Sequence, residues 1–226
     1  MDLASLDRAL IVSCQPVAGG PMDREDIVVA MSQAALAGGA GALRIESGRY
    51  VASVRAATAA PIIGLVKRDL DDSPVRITPL LDDVAALADA GADVIAFDAT
   101  RRERPVPVAR LVHAIGAAGC VAMADCATIE DGREALEAGA TILGTTLSGY
   151  TGGPEPEGPD YALVAALRAL TPHVVAEGRI RTPSEAAEAL RRGAWSVVVG
   201  SAITRPEHVV AWFRNAMVRA DDGHAA

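Results

Sequence analysis

Apolar positions along this chain follow two patterns that take turns. Short, nearly continuous β-branched and aliphatic runs alternate with longer Ala- and Leu-rich stretches of helical period. Four segments join one pattern to the other through a glycine: LAGGAGALRIES, LADAGADVIAFD, LEAGATILGTT and LRRGAWSVVVGS. Gly39, Gly91, Gly139 and Gly193 suit the left-handed position just past a helix. They recur about every 50 residues, the length of two strand–helix units. The intervening strands are ALIVSCQ (9–15), PIIGLVKR (61–68), CVAMADC (120–126) and HVVAEGR (173–179). Their unbroken apolar character predicts strands covered on both faces. Helical stretches such as ITPLLDDVAALADA and TPSEAAEALRR separate them, and Thr182, Pro183 and Glu185 form a helix-start signal.

Eight strands alternating with eight helices predict an α/β chain folded as a single-domain (β/α)8 barrel over residues 1–220, followed by a disordered tail (221–226). A doubly wound open sheet is the competing architecture. It would carry a Gly-rich nucleotide loop after the first strand, where this chain has SCQPVAGGP. No linker divides the chain. The Gly/Pro-rich stretch 148–160 falls where a barrel carries its active-site loops.

Composition narrows the picture. The chain has 226 residues, a mean hydropathy of +0.24 and 3% aromatics, so aliphatic residues must fill the core. The net charge of -8 argues against nucleic acid as a general partner. Cys14, Cys120 and Cys126 are odd in number and lack CxxC spacing, which predicts free thiols in a reducing compartment. No apolar run is long enough for a signal peptide or membrane span, so a soluble cytoplasmic protein is expected.

Barrel chemistry collects at the C-terminal ends of the strands. Those positions read Gln15, Arg44, Lys67, Asp98, Asp125, Thr145, Glu177 and Ser201, all polar or ionisable. Lys67 is the single lysine; every other basic residue is arginine. Arginine does not give up its proton in a protein, whereas lysine can. Lys67 is therefore the candidate proton-transfer residue. Apolar walls would favour its neutral form and a carboxylate such as Glu177 its charged form. AEGRIRTP and VVGSAITRP each put a glycine at a strand end before a helix, in the two loops where barrels often bind phosphate. Gly178, Arg179, Gly200 and Ser201 would offer backbone amides, and Arg205 a charged contact. None of His113, His173, His208 and His224 is at a strand's C-terminal end, so neither a histidine metal site nor a histidine-based nucleophile is expected. Cys14 and Cys126 alternate with site residues and are expected to pack outside the barrel. Arg101, Arg102 and Arg104 form a basic run beside the mouth.

The segments LIVSCQ, PIIGLVKRD, ADVIAFDATRRERP, MADCAT, GTTLSGYT, VVAEGRIRTP and VVVGSAITRP together resemble bacterial N-acetylmannosamine-6-phosphate 2-epimerases of sialic acid catabolism. The resemblance implies interconversion of N-acetylmannosamine 6-phosphate and N-acetylglucosamine 6-phosphate by proton transfer at C2, without metal or organic cofactor, in a homodimer. It implies catalytic roles for Lys67 and Glu177 and substrate contacts for Gln15, Arg44, Asp125 and Arg205. The sequence ESGRY after Arg44 and the Pro/Gly-rich form of the 148–160 loop depart mildly from the family pattern. Two alternatives stay open: a phosphate-binding synthase or lyase that uses Lys67 as a Schiff base, and a non-catalytic sugar-phosphate-binding regulator.

Overall fold

The computed structural model describes residues 3–153 and 155–222. Eight parallel strands close into a barrel in sequence order: β1 (Leu10–Ser13), β2 (Ala42–Glu46), β3 (Ile62–Leu65), β4 (Val94–Asp98), β5 (Val121–Asp125), β6 (Ile142–Gly144), β7 (Val174–Glu177) and β8 (Ser196–Val199), with β8 pairing back onto β1. Helices α1 (Glu25–Ala37), α2 (Gly48–Ala57), α3 (Leu81–Asp89), α4 (Val108–Ala117), α5 (Ile129–Glu137), α6 (Tyr161–Arg168) and α7 (Pro183–Arg191) follow the first seven strands. The last unit departs from the expected single helix. It begins with one turn, α8 (Ser201–Thr204), and restarts at Pro206 as α9 (Pro206–Asp222). Proline suits a first helical turn but not a helix interior, and this explains the break. Residues 221 and 222, expected in the tail, belong to α9; residues 223–226, including His224, lie outside the described residues.

The punctuating glycines act as their spacing suggests. Gly39, Gly91, Gly139 and Gly193 have φ of 94°, 90°, 99° and 102° just past α1, α3, α5 and α7. At the start of α7 the Thr182 hydroxyl accepts from Glu185 N at 3.2 Å, and Glu185 Oε2 accepts from Thr182 N at 2.9 Å.

Strand alternation sorts side chains into two cores. Ile11, Ala42, Ile63, Leu65, Val94, Ala96, Met123, Ile142, Val175 and Val198 fill the barrel, with Leu6 added from the turn before β1. Their neighbours along the strands, such as Val12, Leu43, Ile62, Ile95, Phe97 and Leu143, face the helices. Inward positions therefore continue upward to the mouth as 13 and 15, 44 and 46, 67, 98, 125, 146, 177 and 200.

Candidate active site

The inward positions at the C-terminal end surround a cavity of about 640 Å³. Gln15, Arg44, Lys67, Asp98, Glu177, Gly178, Arg179, Gly200, Ser201 and Arg205, expected from the sequence, all line it. Asp125 completes the set from beneath, through Arg44.

Arg44 is the centre of the floor. It is 1% exposed, and its Nη2 donates to Asp125 Oδ2 at 2.6 Å. Its Nε is 3.3 Å from Glu177 Oε2. Burial opposes the guanidinium charge, but the carboxylates of Asp125 and Glu177 outweigh it and hold Arg44 above its ordinary pKa. Glu177 is raised above the usual carboxyl value. Burial is the main cause, opposed by Arg44, while the neighbouring charge of Asp125 raises it further. Its protonated form is thus favoured more than that of an exposed carboxyl.

Thr146 Oγ1 stands within hydrogen-bond distance of both Asp125 Oδ1 (2.7 Å) and Glu177 Oε2 (3.1 Å). This corrects the expectation for β6, where Thr145 was read as the mouth residue. Thr145 has the outward phase, and its hydroxyl donates to the backbone oxygen of Glu177 instead. The inward phase passes through Gly144 to Thr146. A Cβ on Gly144 would come within 2.8 Å of Met123 Cε and 3.1 Å of both Asp125 Oδ1 and Thr146 Oγ1. Glycine there leaves the space in which those two side chains meet.

Lys67 lies two residues beyond β3, held by an antiparallel bridge to Ile77. Its Nζ donates to Gln15 Oε1 at 2.6 Å and is 3.0 Å from Glu46 Oε2. The Gln15 amide is in turn oriented by Nε2 donating to Ser13 Oγ at 2.9 Å. The carboxylate bound to the lysine is therefore Glu46, not Glu177. Sequence reasoning misses Glu46 because it ends β2 at Arg44. The period-2 rule was the available signal, since 44 and 46 share the inward phase.

Gly178 and Arg179 adopt positive φ (106° and 57°) between β7 and α7. Gly200 immediately precedes α8, and a Cβ there would approach Ser13 Cβ to 3.3 Å. These two turns bring the four expected phosphate residues to one side of the cavity, with Arg205 beside them. Arg205 Nε donates to Gln15 O at 2.7 Å, which fixes the guanidinium plane at the edge. The Arg179 side chain turns away to the long loop: Nη2 donates to Ser148 O (2.9 Å), Nε to Gly158 O (3.0 Å), and the guanidinium covers the Tyr150 ring.

Two other expectations are refined. Asp98 is fully buried and accepts from Arg102 Nη2 at 2.7 Å and Thr100 Oγ1 at 2.6 Å. Arg104 folds inward onto the Asp98 and Thr100 carbonyls, so much of the basic run braces β4 rather than facing solvent. His208 and Trp212 on α9 reach the cavity rim. Reading strand ends alone could not find them. Cys14 and Cys126 are buried in the outer core as expected, and burial pushes the Cys14 thiol up to about 11. Among the described residues, no three His, Cys, Asp or Glu side chains are grouped to hold a metal ion. No described helix is long and apolar enough to cross a membrane.

Residues 28–219 match the family model described as "Putative N-acetylmannosamine-6-phosphate epimerase". The "Bifunctional enzyme NanE/NanK" of Brucella melitensis is 58% identical over 212 residues, which are 93% of this chain but only 41% of that relative. The chain thus spans less than half the length of that relative. An Escherichia coli protein named "Putative N-acetylmannosamine-6-phosphate 2-epimerase" is 54% identical over 224 residues, covering 96% of this chain and 98% of the relative. The solved N-acetylmannosamine-6-phosphate 2-epimerase from Clostridium perfringens superimposes with a TM-score of 0.92 at 40% identity, over 95% of each chain.

Proposed function

The chain belongs to the N-acetylmannosamine-6-phosphate epimerase family, and on that premise we propose that it interconverts N-acetylmannosamine 6-phosphate and N-acetylglucosamine 6-phosphate. The observation that carries this is the placement of Lys67 and Glu177. They extend from β3 and β7, four strands apart in a closed ring of eight, into one cavity. Inversion at a carbon needs proton transfer on both of its faces, and groups from opposite walls can supply that.

In the ring-opened sugar, C2 adjoins the C1 aldehyde, and its proton is acidic enough to leave through an enolate. Neutral Lys67 takes that proton. The negative charge passes to the aldehyde oxygen, where the Arg44 guanidinium stabilises it from the floor. Protonated Glu177, or a substrate hydroxyl relaying its proton, delivers hydrogen to the opposite face of C2. Lys67 is then an ammonium and Glu177 a carboxylate, and exchange with water resets both. Gln15 holds polar substituents of the sugar, and Asp125, fully buried, acts through Arg44, which it holds in place. Gly178, Arg179, Gly200 and Ser201 present backbone N–H groups to the phosphate, and Arg205 adds charge. No step draws on a metal or organic cofactor.

The assembly is a homodimer through α9, where Val210, Phe213 and Met217 form a stripe exposed to 65%, 70% and 70%. The protein acts in the cytoplasm, where a phosphorylated amino sugar is available. Incubation with N-acetylmannosamine 6-phosphate in deuterium oxide tests the function. Solvent deuterium at C2 of both sugars is expected. Product formed without C2 deuterium, or a borohydride-trapped adduct on Lys67, would replace it with another mechanism.

A further inference from the structure

Lysine Nζ is tetrahedral, with three positions besides Cε. Two of them are occupied here, by Gln15 Oε1 at 2.6 Å and by Glu46 Oε2 at 3.0 Å. Neither acceptor is adventitious. Gln15 is 5% exposed and its amide is locked by Ser13, while Glu46 rises from β2 with the same inward phase as Arg44. The backbone of Lys67 is also held, because Arg68 N donates to Arg76 O (3.0 Å) and Thr78 N to Val66 O (2.7 Å) on either side of it. Lys67 and Gln15 line the cavity, and Glu46 reaches the lysine from β2 at the mouth. In the neutral amine the two N–H groups serve these two acceptors. The lone pair is then left with the one remaining position on a nitrogen whose side chain lines the cavity.

We propose that Glu46 is the positioning residue for Lys67, aiming the nitrogen lone pair into the cavity and balancing the ammonium formed when it takes a proton. It acts through the lysine, as the third member of a nucleophile–base–orienter set acts through its base. The other mouth carboxylates have different partners: Asp125 and Glu177 bind Arg44, and Asp98 binds Arg102. Among the cations, Arg76 is paired with Asp69 and Arg205 serves Gln15 O. Glu46 is thus the carboxylate within bonding distance of Nζ.

The inference rests on the epimerase function proposed above, and the single lysine of the chain makes it testable without substrate as well. Protein labelled with 13C-lysine gives one side-chain Cε signal. A lysine held in one geometry shows two distinct Hε frequencies, and a free one shows their average. The wild type is expected to show two. Glu46→Ala should collapse them and lower kcat by about 10- to 100-fold, as a displaced catalytic group does, with KM within about twofold. Glu46→Gln, which keeps an acceptor oxygen, should retain the splitting and recover part of kcat. Unchanged kcat in Glu46→Ala, or lost kcat with the splitting intact, overturns the proposal. Failure of the wild type to exchange C2 hydrogen would instead remove the epimerase function; the Hε splitting would still decide whether Glu46 holds Lys67.

Discussion

Arg44 reaches across the barrel floor from β2 to bond Asp125 on β5 at 2.6 Å, with side chains 1% and 0% exposed. Neither charge could remain there alone. Arg44→Ala should leave Asp125 uncompensated and destabilise the fold by about 3–5 kcal/mol, the range for breaking a buried pair from one side. Chemical denaturation would measure this. A smaller loss is expected for Asp125→Asn, since the amide oxygen can still accept from Arg44.

Lys67→Arg keeps positive charge and removes the ability to act as a base. C2 deuterium exchange should fall at least about 100-fold, the lower end of the range for general-base catalysis, with the melting temperature nearly unchanged. Wild-type exchange in this variant would remove Lys67 from the chemistry.

Arg205 is expected to act on binding. Arg205→Ala should raise KM for the phosphorylated sugar by about 10- to 100-fold, the loss of a charge-assisted hydrogen bond. The Gln15 backbone oxygen also loses a donor, so a smaller fall in kcat should accompany it. An unchanged KM would exclude Arg205 from phosphate recognition.

Glu177 gives a signed pH dependence. Its folded pKa lies above its unfolded value near 4.5, mainly because of burial. Just above that unfolded value the native state binds more protons than the unfolded chain, so this contribution to stability is complete below it and is lost as pH rises through the raised value. Melting temperatures of the wild type and Glu177→Gln, followed upward from pH 4.5, should therefore diverge in favour of the variant. A wild type that gains on the variant over that range would contradict the assignment.

The α9 stripe can be tested in solution. Phe213→Glu should shift sedimentation from dimer toward monomer, because a charge would be placed in an apolar contact. An unaltered sedimentation coefficient would move the interface elsewhere.

Much of this architecture was legible as pattern. Continuous apolar runs identify strands covered on both faces, and a glycine past α1, α3, α5 and α7 marks where a positive φ closes the turn. Those are local constraints, so residues such as Gly91 and Ile63 carry them in their immediate neighbourhood. The same patterns brought Gln15, Arg44, Lys67 and Glu177 to one end of the barrel. The pattern was misleading at Thr145, because the strand phase had to be counted through Gly144, which has no side chain to mark it.

Partnership was not legible. Whether Lys67 meets Glu46 or Glu177, and whether Arg179 faces the cavity or the 148–160 loop, depends on distances across the barrel that no local spacing encodes. His208 reaches the rim only because α8 ends at Thr204 and α9 restarts at Pro206, redirecting the chain across the mouth. Thus the sequence alone determined the barrel, the end on which its chemistry lies and the one side chain able to trade a proton as a lysine. Closure of β8 onto β1 decided which charges neutralise one another, because ion pairing depends on separation in space and on burial, and both are properties of the assembled fold.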